Sequence, residues 1–277
     1  MNIYKVLPSL DRERQMKLWH KAQSSQWSAE DINWAAPQRL TSDRTKDGLA
    51  RILTPVLMGE QAALYSVSSL IPILGHRSEV GAQFFLTTWA VDEARHTELF
   101  TRFYGRLDRQ PMSIRRFPSG YFVQSEIRSE DPGTWLAGVL VSEVAAKHIT
   151  QELLRLDLDP VLSEISDGIL VDEARHLAFN HIYLEDLFAG LFRKAHGDGA
   201  SYAAETSARL ESVLSKIPAV FAALQGDLIE VGIDPEKLFA DIAAEARERL
   251  QSSIDRGERV AVRRTLESSL TAAADAR

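Results

Sequence analysis

The hexapeptide VDEARH occurs twice in the chain, at residues 91–96 and again at residues 171–176. Each copy lies inside a long apolar segment with helical periodicity, and strand-like alternation is scarce elsewhere. Because the Glu and the His of each copy are three positions apart, both side chains project from one face of a helix. A fold that buries these segments must accommodate two polar helix faces in its interior. Because helical periodicity dominates and strand-like alternation is scarce, the sequence predicts an all-α protein.

Helix start and stop signals divide the middle of the chain into four long helices. The third and fourth begin with an Asp-Pro pair, in which the acid caps the helix and proline takes its first position. These pairs are Asp131 with Pro132 and Asp159 with Pro160. The first helix is predicted to end before Pro72. The expected boundaries are about 47–71, 78–106, 132–156 and 160–192.

About 25 residues rich in Pro, Gly and charge separate the second helix from the third and are predicted to form a long crossover. Two helical hairpins joined by a long connection are a standard topology of a four-helix bundle. We expect flanking helices before residue 41 and after residue 199, with another Asp-Pro start at residues 234–235. The HGDG stretch at residues 196–199 is predicted to be a loop. Residues 1–277 are predicted to form one domain, with the bundle core at about 47–192.

Each of the four predicted helices carries a glutamate among apolar and small residues, namely Glu60, Glu93, Glu143 and Glu173. Counted along the chain, Glu60 and Glu93 lie 15 and 18 residues from the turn at Gly75, while Glu143 and Glu173 each lie 15 residues from Leu158. A helix rises about 1.5 Å per residue, so the four carboxylates should meet at nearly the same height in the bundle. Burying one unpaired carboxylate costs several kcal/mol, so the group needs compensating positive charge.

Together with His96 and His176, these glutamates form the ligand set of ferritin-like di-iron and di-manganese proteins: one Glu from each of two helices and Glu-x-x-His from each of the other two. Four carboxylates match the charge of two divalent ions. Oxygen ligands with only two imidazoles favour Fe or Mn over a closed zinc site. The alternative is a duplicated helical hairpin whose acidic faces are solvated.

Asp92 and Asp172 precede the glutamates of the two hexapeptides, and Arg95 and Arg175 precede the histidines. A carboxylate that accepts the second ring N–H of a metal-bound histidine fixes the tautomer and orientation of that ring. We expect the two aspartates to play this part and the two arginines to neutralise them. The alternative is that all four are ordinary surface charges.

The composition of the chain excludes several classes of partner and cofactor. The net charge of -7 comes without a basic stripe, so neither nucleic acid nor an anionic membrane is an expected partner. Cysteine is absent, which excludes disulfides, iron–sulfur clusters and thiol nucleophiles. The first 15 residues have no apolar run of the kind in a signal peptide, and no later stretch is expected to reach the apolar length of a membrane span. A cytoplasmic enzyme is predicted.

The pattern formed by Glu60, DEARH at residues 92–96, Glu143 and DEARH at residues 172–176 resembles the di-iron carboxylate oxygenases and the ribonucleotide reductase small subunit. The D-E-x-R-H form is similar to that of soluble bacterial multicomponent monooxygenases. The continuation HLAFNHIYLEDL, from residue 176, resembles the 4-aminobenzoate N-oxygenase family. This resemblance covers about residues 50–192. It implies a ferritin-like fold whose catalytic and metal-binding residues are Glu60, Glu93, His96, Glu143, Glu173 and His176.

Two positions depart from these relatives. The reductase small subunit has its radical Tyr four residues after the first ligand His, where this chain has Phe100, with Tyr104 a further turn away. The N-oxygenases have a third His one turn before the second Glu-x-x-His, where this chain has Ile169. Storage of a tyrosyl radical and N-oxygenation through that third His are therefore not expected.

The resemblance implies a non-haem di-iron oxygenase that activates O2 to hydroxylate or N-oxygenate a small organic substrate. Its cofactor would be two Fe ions, with Fe/Mn and Mn/Mn as alternatives, and a homodimer is expected. Because the chain has no cysteine and no Gly-rich dinucleotide motif, a separate ferredoxin or flavin reductase should supply electrons. Three other functions stay open: a reductase-like radical oxidase, an iron-storage or peroxide-scavenging protein, and a helical interaction module.

Two features allow more than one interpretation. Lys147, one turn after Glu143, either lies on the ligand face of its helix or extends from a half-buried position to solvent, and the second interpretation is preferred. The aromatic residues Phe84, Phe85, Trp89 and Phe100 are predicted to belong to the core rather than to a cofactor site.

Overall fold

The computed structural model of the protein describes residues 7–194 and 198–275, with side chains described as far as residue 267. The described residues form α-helices, two short 3-10 turns and loops, and contain no β-strand. The all-α prediction is confirmed. The helices are α1 (Glu13–Ser24), α2 (Asp43–His76), α3 (Val80–Leu107), α4 (Pro118–Ile127), α5 (Pro132–Leu156), α6 (Pro160–Phe192), α7 (Asp198–Leu214), α8 (Ile217–Val231) and α9 (Pro235–Asp275).

A four-helix bundle stands at the centre of the molecule. The hairpin of α2 and α3 packs against the hairpin of α5 and α6, with α2 next to α5 and α3 next to α6. The flanking helices cover this bundle: α1 lies on α3 and α6, α7 on α5, α8 on α2, and α9 on α5 and α6. One hydrophobic cluster extends from Ala22 to Ile254, so the flanking helices share the bundle's core.

The two Asp-Pro starts form as the sequence predicts. The Asp131 carboxylate accepts a hydrogen bond from the backbone N–H of Thr134 at 3.0 Å, and Asp159 accepts one from the backbone N–H of Val161 at 3.0 Å. Each acid thereby satisfies a backbone donor that has no partner within the helix. The ends of α5 and α6, at residues 156 and 192, also match the prediction.

The predicted end of the first helix was wrong. Helix α2 passes through Pro72 and continues to His76, and it also contains Pro55. A proline inside a helix removes one backbone hydrogen bond, but α2 is held by packing on both sides of the proline. Leu70 and Leu74 are fully buried in the core, which keeps this last turn helical.

The crossover between α3 and α5 contains more regular secondary structure than the sequence suggested. It contains a 3-10 turn at Ile114–Arg116 followed by α4. At Gly120 in α4, a Cβ atom would lie 2.7 Å from the Phe117 ring and 3.1 Å from Met58, so glycine allows α4 to approach α2 closely. The predicted HGDG loop is only partly tested, because residues 195–197 lie outside the described residues. Its last two residues, Asp198 and Gly199, belong to α7 rather than to a loop.

Two helical segments, Asp43–His76 and Asp198–Val231, are long and apolar enough by composition to cross a membrane. The expectation that no stretch would meet this measure was therefore wrong. Core helices of water-soluble proteins meet the same measure, because their buried faces are as apolar as a membrane span. The first segment is such a core helix in this fold, since α2 buries Leu49, Leu53 and Leu70 completely.

Candidate metal centre

The six side chains that the sequence selected lie together in the middle of the bundle. Glu60 comes from α2, Glu93 and His96 from α3, Glu143 from α5, and Glu173 and His176 from α6. None of the six is more than 3% exposed. The alternative of solvated acidic helix faces is thereby excluded.

The six residues form two overlapping groups of potential ligand atoms. Glu60, Glu93, His96 and Glu173 make up the first group, and Glu93, Glu143, Glu173 and His176 make up the second. Within each group, one nitrogen or oxygen atom from every residue lies within 4.8 Å of the others. Glu93 and Glu173 belong to both groups, so their carboxylates could contribute ligand atoms to both.

Each histidine turns Nδ1 toward the carboxylates. Nδ1 of His96 lies 3.1 Å from Glu60 Oε2, and Nδ1 of His176 lies 3.2 Å from Glu143 Oε2. Nδ1 of His176 is also 3.4 Å from Glu93 Oε1. Both Nδ1 atoms therefore face the space enclosed by the four glutamates.

The opposite ring nitrogens face the aspartates, in a crossed arrangement. Nε2 of His96 lies 3.1 Å from Asp172 Oδ2, and Nε2 of His176 lies 3.3 Å from Asp92 Oδ2. The aspartate of each hexapeptide thus contacts the histidine of the other hexapeptide. When Nε2 donates its N–H to the aspartate, Nδ1 carries the lone pair that can bind a metal ion.

The two arginines join both aspartates into one buried network. Arg95 Nη2 donates to Asp92 at 2.5 Å and to Asp172 at 2.7 Å. Arg175 Nη2 donates to Asp92 at 3.1 Å and makes a short contact with Asp172. Burial favours the neutral acids, but the histidine and arginine partners outweigh it and lower the pKa of both Asp92 and Asp172. Both aspartates are therefore held as anions.

Three of the four carboxyl groups of the cluster behave in the opposite way, whereas for Glu60 burial is outweighed by the charge and hydrogen bond of His96, which lower its pKa. Burial, together with the negative charge of the other glutamates, raises the pKa of Glu93 well above its usual range. Burial likewise raises the pKa of Glu143 and of Glu173 to about 8. Burial alone would lower the pKa of His96, but the surrounding carboxylates outweigh it and raise that pKa to about 10. Without an added positive charge, the cluster holds protons that a metal ion would have to displace.

Two buried oxygens show that the protein itself does not complete this cluster. Glu93 Oε2 and Glu173 Oε2 are both inaccessible to solvent and have no hydrogen-bond partner. An unpartnered buried carboxylate oxygen is costly, and here one occurs on each of the two residues shared by both groups. The donor set, its charge and these two free oxygens fit a pair of metal ions that prefer oxygen and nitrogen ligands.

Trp89 packs directly against the cluster. Its indole N–H donates to Glu93 Oε1 at 2.7 Å, and its ring stacks on the His176 ring with centroids 4.6 Å apart. The sequence predicted a core residue here, and Trp89 is fully buried. It is also a contact of the site, which its apolar context did not indicate.

Two residues that sequence reasoning missed come from the chain before α2. The Trp27 indole donates to Asp172 Oδ2 at 2.9 Å, and the Gln26 amide donates to Asp92 Oδ1 at 3.1 Å. The Arg95 guanidinium also lies over the Trp27 ring, 4.8 Å from its centroid. A tryptophan within a polar, charged segment was the available signal that this segment packs on the bundle.

Other residues singled out from the sequence lie outside the cluster. Lys147 Nζ pairs with Glu245 of α9 at 2.6 Å, and His148 Nε2 lies 2.8 Å from the same carboxylate. Phe100 and Ile169 are buried in a second hydrophobic cluster of the core.

A cleft reaches the cluster between α2, α4, α5 and α8. It encloses a cavity of about 90 Å³ and opens to solvent at its mouth. Its wall includes Glu60, Glu143 and Glu173, and elsewhere it is mainly apolar. A small molecule can therefore approach these three glutamates from this side, while the aspartates and arginines lie behind the histidines.

Known proteins show the same fold. An R2-like ligand-binding oxidase with an aerobically reconstituted Mn/Fe cofactor superposes with a TM-score of 0.71 at 18% identity, covering 91% of this chain and 98% of that chain. A mutant R2-like ligand-binding oxidase with an anaerobically reconstituted Mn/Fe cofactor gives a TM-score of 0.74 at 18% identity, covering 90% of this chain and 98% of that chain. At this identity the likeness shows the fold alone, and it confirms the ferritin-like prediction.

The family comparison is more specific. Residues 75–250 match the family model described as P-aminobenzoate N-oxygenase AurF. The match includes both hexapeptides and Glu143, together with most of the flanking helices after the bundle. Since it spans more than half of the chain, the protein belongs to the AurF family and is an oxidoreductase.

Proposed function

We propose that this protein is a two-metal oxygenase that uses O2 to hydroxylate or N-oxygenate a small organic substrate. The observation that carries the proposal is the pair of buried ligand groups that share Glu93 and Glu173. Membership of the AurF family supports oxidation as the reaction class. The apolar cleft that ends at the glutamates supports a small-molecule substrate.

In this proposal, Glu60 and His96 would hold one ion, and Glu143 and His176 would hold the other. Glu93 and Glu173 would contribute to both, because each lies in both ligand groups. Two Fe ions are proposed, with Fe/Mn and Mn/Mn as alternatives; the R2-like oxidases that share the fold are described with an Mn/Fe cofactor. When bound, such a pair would supply the Lewis acidity and redox chemistry needed to activate O2.

The surrounding residues set the protonation and position of the ligands. Asp172 and Asp92 hold the Nε2 protons of His96 and His176, so each ring presents Nδ1 to the cluster. The two arginines keep these aspartates charged through buried ion pairs. The N–H of Trp89 holds one oxygen of Glu93, which leaves the other oxygen free for an ion.

The fold also controls what reaches the site. The mainly apolar cleft excludes most water and admits a substrate beside the glutamates. The sequence has no cysteine and no Gly-rich dinucleotide motif, so we propose that a separate ferredoxin or flavin reductase delivers electrons. We further propose that the chain acts as one domain, because its flanking helices share the bundle's core. The homodimer stays a prediction, which light scattering can test.

The proposal is tested by metal content and O2 consumption in paired variants. The wild-type protein, reconstituted with Fe(II), should bind about two metal ions per chain and consume O2 when reduced. Glu93→Ala should lose both ions, because Glu93 is shared, whereas Glu60→Ala should lose about one. Glu98→Ala is the matched control, since Glu98 is an exposed acid on the same helix as Glu93.

Circular dichroism should show that all variants stay helical. Two ions per chain in Glu93→Ala would refute the proposed ligand set. Many irons per chain in the wild-type protein would instead indicate iron storage.

A further inference from the structure

A row of aromatic rings leads from the metal cluster toward the surface of the bundle. We propose that Trp89, Phe179 and Tyr183 form a one-electron path that carries oxidising equivalents away from the metal centre when no substrate takes them up. This inference rests on the proposed function, because a centre that activates O2 generates those equivalents. It goes further by assigning a protective redox role to side chains that neither bind metal nor line the substrate cleft.

The path begins in contact with the cluster. The Trp89 ring stacks on the His176 ring with centroids 4.6 Å apart, and its N–H donates to Glu93 Oε1 at 2.7 Å. The Phe179 ring lies edge-on to Trp89 at 6.0 Å, and the Tyr183 ring lies 5.9 Å from Phe179. All three ring distances fall in the range of directly packed aromatic pairs. The path ends two helical turns beyond His176 on α6, about 10 Å along the helix axis.

The two ends of the path are side chains that can be oxidised. Indole and phenol are among the protein groups that lose one electron most readily, and the chain has no cysteine to compete with them. Trp89 is fully buried, and Tyr183 is 3% exposed. The fully buried Phe179 ring is much harder to oxidise and fills the space between them. An oxidised centre therefore has one oxidisable ring beside a ligand and a second one farther out.

The Tyr183 hydroxyl is placed to give up its proton when the ring is oxidised. It is buried and has no hydrogen-bond partner within the described residues, so no other group holds that proton. Burial and the negative charge of Glu79 raise the pKa of Tyr183, which shows that Glu79 is near enough to act on the phenol. Burial also raises the pKa of Glu79, so its carboxylate is a better proton acceptor than a solvated glutamate.

The transfer consists of two balanced one-electron steps. In the first, one electron passes from Tyr183 through Trp89 to the oxidised centre, the phenolic O–H bond breaks, and its proton goes to the Glu79 carboxylate. In the second, a small water-soluble donor such as ascorbate gives one electron to the tyrosyl radical, and Glu79 returns the proton. Tyr183 lines a surface pocket that such a donor can enter. Among the described residues, this pocket has more cationic than acidic side chains, which favours an anionic donor: Arg12, Arg77, Arg193 and Lys194 against Glu79 and Asp186.

The test detects the radical rather than turnover. The Fe(II)-loaded protein is mixed with O2 without substrate, rapidly frozen and examined by electron paramagnetic resonance. A tyrosyl signal should appear, narrow in protein made with ring-deuterated tyrosine, and disappear in Tyr183→Phe. Tyr104→Phe is the matched control and should keep the signal, because Tyr104 is also buried but its hydroxyl donates to the Ala50 carbonyl at 2.7 Å. A tyrosyl signal that persists in Tyr183→Phe overturns the inference, and so does the absence of any tyrosyl signal while O2 is consumed.

Peptide mapping by mass spectrometry provides a second measurement. In Tyr183→Phe the path ends at Trp89, so oxidation of the Trp89 side chain per O2 consumed should exceed that in the wild type and in Tyr104→Phe. Equal oxidation of Trp89 in all three proteins would overturn the path. Metal content and O2 consumption separate this inference from the proposed function. If the protein does not bind two ions per chain or consumes no O2, the proposed function fails; if it does both without the Tyr183 signal, only the protective path fails.

Discussion

Glu245 of α9 contacts three basic side chains through its carboxylate, and replacing it should lower the free energy of unfolding. Its carboxylate accepts from Lys147 and Arg249 at 2.6–2.7 Å and lies 2.8 Å from His148 Nε2. Partial burial favours the neutral acid, but the hydrogen bonds from Lys147 and Arg249 hold the pKa of Glu245 at about 2. Since Lys147 lies one turn from Glu143, this cluster fixes α9 to the helix segment that carries a proposed ligand.

The expected loss of stability follows from the lowered pKa of Glu245. A carboxyl group that titrates at about 2 instead of 4.5 gains at most ~3.5 kcal/mol, because one pKa unit is worth about 1.4 kcal/mol. The side chain is still 19% exposed, so solvent screens the ion pairs. Allowing for that screening, we expect Glu245→Gln to lower the free energy of unfolding by about 1.5 kcal/mol at pH 7.

The lowered pKa of Glu245 also determines how the effect of Glu245→Gln on stability changes with pH. A lowered pKa stabilises the fold above the unfolded-state pKa, and that stabilisation is lost as the pH falls from about 4.5 to about 2. The difference between Glu245→Gln and the wild type, measured by urea unfolding, should therefore be constant from pH 7 to 5 and shrink below that. Glu248→Gln, which alters an exposed acid on the same helix, is the control. A difference that is undiminished at pH 3 would refute the electrostatic explanation.

Three further outcomes follow from the site. Trp89→Phe removes the N–H that holds Glu93, and should lower the free energy of unfolding of the metal-loaded protein by about 2 kcal/mol, measured by urea unfolding. Gly168→Ala places a Cβ 2.6 Å from the Trp27 ring, so the indole must shift. We expect the free energy of unfolding to fall by about 1–3 kcal/mol and the tryptophan fluorescence spectrum to change. An unchanged spectrum would contradict the close contact. Burial raises the pKa of Glu143 to about 8, so metal uptake below that pH must displace protons; the apparent affinity should fall as the pH is lowered from 8 to 6, and a pH-independent affinity would count against this.

Much of the site could be predicted because its physical causes are local in sequence. A glutamate among apolar residues signals a buried charge, and a spacing of three positions places Glu and His on one helix face. Asp131 and Asp159, each followed by proline, define the starts of α5 and α6 to the residue. Similar distances from the turns predicted that the four carboxylates would meet, and the bundle places them in one cluster.

Other features depend on packing between distant segments, which a single sequence does not encode locally. No spacing rule shows that Asp172 contacts His96 rather than His176, because that choice depends on how α3 and α6 face each other. The contribution of Gln26 and Trp27 depends on where the N-terminal segment lies on the bundle. The continuation of α2 past Pro72 follows from tertiary packing that outweighs a local helix-breaking signal.

The two hexapeptides are identical in letters, but their surroundings differ. An indole N–H reaches Asp172, whereas an amide reaches Asp92. Trp89 stacks on His176 one turn before the first Glu-x-x-His, and the equivalent position in the second copy holds the aliphatic Ile169. The internal duplication therefore yields two chemically distinct halves, so O2 or substrate arriving at the centre would meet two unlike sides rather than two equivalent ones.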